Sequence, residues 1–249
     1  MQPSWMTCPE PRPGARCRLF CLPFAGAGAS QFFSWKAMLP ASVELCAYQL
    51  PGRESRYREP AFVRAETAAE HLAAEMMPWL DRPYAMFGHS MGALLTFEVA
   101  RALRRRAAPL PFLLVLSAYP AAHLQRVQAP VSGLPAEQLI ERLRQMEGTP
   151  EAVLRDRELM NFLLPTIRAD FELCETYQYQ EEPPLAIPMV ALGGDGDVEA
   201  PPERIAAWQR HTSHGFTHHT LPGGHFFLHT SRQRLLDQVV EALQAEMPK

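Results

Sequence analysis

A serine flanked at two-residue distance by glycines, Gly88-His89-Ser90-Met91-Gly92, constrains this chain more than any other stretch. Pro83, Tyr84, Ala85 and Met86 before it form a short apolar run with strand character. After it, Ala93, Leu94, Leu95, Phe97, Val99, Ala100 and Leu103 recur at helical spacing. The pattern predicts a strand that turns sharply into a helix with Ser90 at the turn. In so tight a turn the two backbones approach closely, and the positions two before and two after the serine have no room for a side chain. Gly88 and Gly92 meet that demand. The result is a nucleophile elbow, G-x-S-x-G, which lifts the Ser90 hydroxyl above the sheet and turns the Met91 amide toward any oxyanion formed there. A chance Gly/Ser turn has no reason to carry this strand and this helix on its two sides.

The rest of the chain alternates in the same way. Strands are expected at 17–22, 43–49, 112–116, 187–192 and 216–221, and helices at 31–39, 66–80, 202–211 and 231–247. Strands separated by helices require crossover connections, so the fold class is α/β: a mostly parallel sheet flanked on both faces by helices. With 249 residues, 47% of them hydrophobic, the chain can bury one sizeable core. A single domain is expected over 17–249, with residues 1–16 as a flexible N-terminal arm. Between Pro120 and Pro184 there is no strand-like run, only helical patterns at 135–146 and from about 157 to 179. An insertion after a strand is where an α/β enzyme carries a lid. Leu159, Met160, Phe162, Leu163, Leu164, Ile167 and Phe171 cover more of this helix than one packing face needs, so either two faces are buried or one lines a cavity. Phe162 and Phe171 are the candidate cavity residues, and two ordinary core helices are the plainer alternative. Pro165 is expected to kink or split the helix, because it lacks an amide hydrogen and crowds the preceding turn.

Net charge of −3 gives no general attraction to nucleic acid or to an anionic membrane, and no stretch of 18 consecutive apolar residues occurs. The five cysteines are odd in number and scattered, which suits reduced thiols better than a disulfide framework. The N-terminal stretch has no apolar core of the signal-peptide kind. These features predict a cytoplasmic protein, monomeric, with neither nucleic acid nor membrane as partner.

Ser90 needs a base to take its proton, and the base needs a carboxylate to orient it. Of the nine histidines, His225 has the suitable setting, on a turn after Leu221-Pro222-Gly223-Gly224 and before an apolar Phe226-Phe227-Leu228. His89 should point away from Ser90. His218 and His219 face opposite sides of a strand and no cysteine joins them, so no metal is expected. The acid should follow the strand at 187–192, where Gly193-Gly194-Asp195-Gly196-Asp197 stands; both aspartates are candidates, and Asp197 is favoured because Asp195, between glycines, is as readily a turn former. A second oxyanion amide is expected from the loop Phe24-Ala25-Gly26-Ala27-Gly28, with Ala25 as donor. That loop lacks the G-x-G-x-x-G spacing and any lysine, which argues against a nucleotide cradle.

These motifs together resemble a type II thioesterase, the discrete editing hydrolase of polyketide and nonribosomal peptide assembly lines, within the α/β-hydrolase superfamily. The resemblance runs from about Arg18 to Ala245. It rests on 22–28, Leu50-Pro51-Gly52-Arg53, 88–92, 193–197, Trp208 and Pro222-Gly223-Gly224-His225-Phe226-Phe227-Leu228. It implies Asp197 as the acid, Ala25 and Met91 as oxyanion amides, and hydrolysis through an acyl-Ser90 intermediate of acyl groups carried on the phosphopantetheine thiol of an acyl or peptidyl carrier protein, with no cofactor. Two departures bear on substrate preference. Phe24 stands where many members carry His or Tyr, and Ser117-Ala118-Tyr119 replaces a commoner Ser-Gly-Arg. Alternatives sharing the triad are a medium-chain fatty acyl-carrier thioesterase and a general carboxylesterase; a catalytically inactive interaction module is the alternative of another class. Arg53, Arg56 and Arg58 are read either as a patch that attracts an acidic carrier beside the pocket mouth or as an ordinary solvated surface. Arg104, Arg105 and Arg106 read as a helix C-terminal cap.

Overall fold

The computed structural model describes residues 5–248. Seven strands form one sheet: β1 (Met6–Thr7), β2 (Cys17–Leu22), β3 (Val43–Tyr48), β4 (Tyr84–His89), β5 (Leu113–Ser117), β6 (Met189–Gly194) and β7 (Phe216–Leu221). Their order is β1-β3-β2-β4-β5-β6-β7, parallel throughout except for β1, which pairs antiparallel with β3. The helices are α1 (Ala65–Met76), α2 (Met91–Arg105), α3 (Ala136–Met146), α4 (Glu151–Arg155), α5 (Arg157–Glu175), α6 (Pro202–Ala206), α7 (Phe227–Thr230) and α8 (Arg232–Glu246). The expected helix at 31–39 is a 3₁₀ segment, Ala29–Ala37, and a second 3₁₀ segment, Ala207–His211, continues α6.

Side-chain alternation along the central strands divides the core between the two faces of the sheet. Phe20, Leu22 and Met86 meet α1 and α2 on one side, while Leu19, Cys21, Ala85 and Phe87 meet the 3₁₀ segment and α8 on the other. Every residue of α2 from Met91 to Leu103 is buried, because α2 lies between the sheet and the rest of its layer. Strand order reverses between β2 and β4, so the loop after β2 and the elbow after β4 open side by side at the C-terminal edge of the sheet, where ligands of open α/β sheets bind.

Three expectations are corrected. The segment 5–16 is no flexible arm. Met6 and Thr7 pair with Tyr48 and Ala47, and the Arg12 guanidinium donates to the carbonyls of Lys36 and Pro40, each at 2.8 Å. A two-residue strand has no periodicity to read, and residues 1–4 of the expected arm lie outside the described residues. Pro165 does not split its helix, since α5 runs unbroken over 19 residues. Met160 and Leu164 before the proline and Ile167 and Phe171 after it are all buried, and this packing on both sides outweighs the loss of one backbone hydrogen bond. The arginines closing α2 do more than offset its dipole: Arg104 and Arg105 pair with Glu182, and Arg105 and Arg106 with Glu70 of α1.

The insertion between β5 and β6 has its own apolar cluster, with Leu139, Leu143, Leu154, Met160, Leu164 and Ile167 joining α3, α4 and α5. Its two ends are fixed by a ring cluster. His123, leaving β5, shares a 2.8 Å hydrogen bond with His211, whose ring packs 4.9 Å from Phe97 and 5.2 Å from Tyr179 on the returning segment. Burial, with His123 adding to it, holds His211 at a pKa of about 3. Burial also lowers His123, His229 and, well below the usual value, His89. Because the native state resists protonating these rings, their contribution to stability is complete above the unfolded value near 6.5 and is lost as pH falls toward the native value. Thermal denaturation should therefore show Tm dropping from pH 6.5 to pH 4. His211→Gln should flatten that decline by up to about 1.4 kcal/mol per pH unit, the weight of one proton. A pH-independent Tm over this range would contradict the assignment.

Candidate active site

The elbow forms because two glycines permit it. A Cβ on Gly88 would collide with the Gly92 carbonyl, and one on Gly92 with the Leu22 carbonyl of β2, so only bare backbone lets β4, α2 and β2 meet there. Ser90 takes the strained φ of 53° and ψ of −123° expected of an elbow serine, and its amide donates to the Ser117 carbonyl at 2.8 Å.

His225, four residues beyond β7, brings Nε2 to 2.9 Å from Ser90 Oγ, and its Nδ1 lies 2.9 Å from Asp197 Oδ2. Nδ1–H donates to the carboxylate, which leaves Nε2 free to accept the serine proton. Asp197 is 3% exposed and its other oxygen accepts the amides of Glu199 and Ala200 at 2.9 and 3.1 Å, so the carboxylate is fixed before it orients the ring. Asp195 has a different task. Its Oδ1 accepts the Gly223 amide at 2.9 Å and ties the turn that carries His225 to the end of β6. His89 points away from Ser90, as expected, into a buried network. Since burial keeps it neutral, its Nε2–H donates to the His225 carbonyl at 3.0 Å and Nδ1 accepts from the Ser117 hydroxyl at 2.9 Å. It thereby anchors the backbone of the catalytic base.

Ser90 and His225 open into a cavity of about 420 Å³ lined also by Ala25, Met91, Tyr119 and Phe171. Met91 opens α2, and first-turn amides have no acceptor within their helix. Of the three phenylalanines expected to hold substrate, only Phe171 lies on the cavity. Phe24 is buried among the rings of His89, Phe226 and His229, and therefore backs the histidine loop. Phe162 is 58% exposed and its ring sits 6.0 Å from Tyr57 on the outside of the lid. The surplus apolar surface of α5 is thus divided between cavity, lid core and exterior.

The arginine patch is corrected as well. Arg53 is buried and binds Asp170 of α5 through both ends of its guanidinium, at 2.6 and 2.7 Å, while also reaching the Ala27 carbonyl at 3.2 Å. Asp170 Oδ2 accepts the Gly26 amide at 2.7 Å, so this one ion pair joins the lid to the loop that carries Ala25. Arg56 is buried too, paired with Glu59 and stacked 3.4 Å over the Trp5 ring. Arg58 alone is exposed, beside Tyr57. Sequence reasoning missed the clamp because Arg53 and Asp170 stand 117 residues apart; the buried polar position inside the apolar pattern of α5 was its only local sign.

A family model of the thioesterase domain matches residues 17–247. The gramicidin S biosynthesis protein GrsT of Aneurinibacillus migulanus is 38% identical over 97% of this chain and 94% of its own. Among solved structures, the RedJ thioesterase of the prodiginine pathway of Streptomyces coelicolor is 40% identical with a TM-score of 0.87, covering 91% of this chain and 90% of that one. The type II thioesterase BorB of the borrelidin cluster is 38% identical with a TM-score of 0.88, covering 96% and 97%.

Three outcomes follow from the geometry. Ser90→Ala should lose about 10³-fold or more in kcat with an unchanged melting temperature. Asp197→Asn should be severe and Asp195→Asn mild, because an Asn oxygen can still accept the Gly223 amide; the reverse ranking would move the acid to Asp195. Asp170→Asn leaves Arg53 buried without its charge partner and should cost about 3–5 kcal/mol in a denaturant melt. It should also lower kcat by loosening the Ala25–Gly26 loop. A neutral result on both measurements would remove the clamp from the mechanism.

Proposed function

The chain belongs to the thioesterase family, and from that premise we propose that it hydrolyses acyl groups from the phosphopantetheine thiol of an acyl or peptidyl carrier protein, clearing stalled or misloaded chains in polyketide or nonribosomal peptide synthesis. The observation that carries this reading is the unbroken hydrogen-bonded series Ser90–His225–Asp197 on the wall of a cavity lined in part by α5 of the lid, with the family match around it. A catalytically inactive interaction module has no use for a complete proton relay. In the first step Ser90 Oγ attacks the thioester carbon as His225 Nε2 takes its proton. The carbon–sulfur bond then breaks, and His225 returns the proton to the departing thiol. In the second step His225 takes a proton from water, the hydroxide attacks the acyl-Ser90 carbonyl, and the serine leaves with the proton restored. Ala25 and Met91 amides hold the oxyanion in both steps, and Phe171 contacts the acyl chain. We place this activity in the cytoplasm and in a monomer, in keeping with the five free cysteines. Among the described residues no helix is long and apolar enough to cross a membrane.

The test is a comparison of one acyl group in three forms: on a carrier protein, as a short pantetheine thioester, and as an oxygen ester. Expected is the highest kcat/KM on the carrier, with intact-mass detection of acylation that disappears in Ser90→Ala. Equal kcat/KM on the oxygen ester and the carrier would make the protein a general esterase instead.

A further inference from the structure

The cavity beside Ser90 is only partly apolar. Tyr119 forms its wall after β5, and Cys174, Tyr177 and Gln178 come from the end of α5 and the segment beyond. Three other tyrosines, Tyr48 and Tyr84 buried and Tyr177 half-buried, spend their hydroxyls on protein acceptors: Tyr48 on the Leu72 carbonyl, Tyr84 on the Pro109 carbonyl, Tyr177 on the Glu98 carboxylate at 2.6 Å. Among the described residues the Tyr119 hydroxyl has no such partner. Nor is it one of the side-chain atoms sealed inside without a partner, which are Thr96 Oγ1, Arg101 Nε and Arg232 Nε. An unpaired hydroxyl that is accessible, on a ring lining a cavity, faces that cavity. Burial raises its pKa well above that of a free phenol, so it is neutral, able to donate one hydrogen bond and accept others.

Its position is held by the fold. Trp208 Nε1 donates to the Tyr119 carbonyl at 2.8 Å, and the preceding Ala118 takes a left-handed φ of 53° while its amide donates to Leu192 at 2.8 Å. The Ser117 carbonyl that receives the Ser90 amide is only two residues away, at most about 7 Å of backbone, so Tyr119 belongs to the wall of the same cavity that Ser90 opens into. The charges around the cavity favour a neutral group over an ammonium. Arg126 and Arg204 line it. Of the carboxylates there, Glu175 is occupied by the Val131 amide and the Ser132 hydroxyl, at 2.7 and 2.5 Å, and Glu199 pairs with Arg142.

We propose that Tyr119 is a specificity-determining residue whose hydroxyl hydrogen-bonds a neutral oxygen substituent, a hydroxyl or a keto group, on the acyl chain. The enzyme then prefers oxygenated acyl groups to saturated chains of equal length and to aminoacyl groups. The inference rests on the thioesterase reading above and names the substrate class of that site.

The experiment measures kcat/KM of the full chain and of Tyr119→Phe on pantetheine thioesters of hexanoate, of its 3-hydroxy, 5-hydroxy and 3-oxo derivatives, and of leucine. The substitution removes one unpaired oxygen and keeps the ring. Expected is wild-type preference for at least one oxygenated chain over hexanoyl and leucyl, reduced about tenfold by Tyr119→Phe, with hexanoyl changed by less than about twofold. Wild-type preference for hexanoyl or leucyl, or a uniform change on all substrates in the variant, would overturn the inference while Ser90-dependent hydrolysis of hexanoyl leaves the thioesterase reading intact. Failure of the wild-type chain to hydrolyse any thioester would overturn both.

Discussion

The buried pair of Arg53 and Asp170 is the interaction on which the functional half of the molecule depends. Two charges removed from water are costly unless their geometry is good and their remaining hydrogen-bonding capacity is filled. Here the guanidinium is bidentate, it also takes the Ala27 and Pro51 carbonyls, and the carboxylate takes the Gly26 amide. Three segments far apart in the chain meet at those few atoms: the loop after β3, the loop after β2, and α5 of the lid. Gly26 adopts φ of 80°, and Ile167 of α5 lies against it. The lid therefore serves as more than a cover, because its longest helix fixes the backbone of the loop that carries Ala25 and Gly26.

A second constraint is closeness of backbone. At the reversal of strand order the elbow glycines bring α2 against the Leu22 carbonyl, which fixes the distance between the Ala25 loop and Met91 before any side chain is considered. His89 and Ser117 extend that rigidity to the base. A neutral imidazole with one donor and one acceptor satisfies the His225 carbonyl and the Ser117 hydroxyl at once, where a charged ring would leave a donor unplaced. The base is thus held from two directions, by Asp197 at its ring and by His89 at its backbone. Such pre-positioning is what lets a weak nucleophile act without reorganisation during the reaction.

Much of this was legible in the amino-acid sequence, and the legible parts share a cause. Strands β2 and β7 were bounded to the residue, and the elbow, His225 and Asp197 were readable, because each depends on local rules: side-chain period, glycines where no Cβ fits, and loops that follow strand ends. Misreadings had a common cause as well. Arg53 and Arg56 read as surface because arginine usually is, and only the arrival of Asp170 and Trp5 makes their burial favourable. Phe162 and Phe171 are equivalent in any helical pattern, yet one faces Tyr57 outside and the other the cavity, since what surrounds a helix is decided by elements distant in sequence.

The sequence by itself determined the parallel sheet and the turn that exposes Ser90, because these follow from backbone sterics and periodicity within a few residues; the order nucleophile, acid, base followed from the motif to which such an elbow belongs. Tertiary structure settled the separate tasks of two aspartates that the sequence ranked but left open. Asp197 and Asp195 differ by two positions, but one reaches an imidazole and the other an amide on the same turn. It also decided that α5 continues through Pro165, that the lid holds the loop after β2, and that Tyr119 lines the cavity. Each of these depends on desolvation and on hydrogen-bond partners supplied from elsewhere in the chain, and burial has no value until the whole fold is in place.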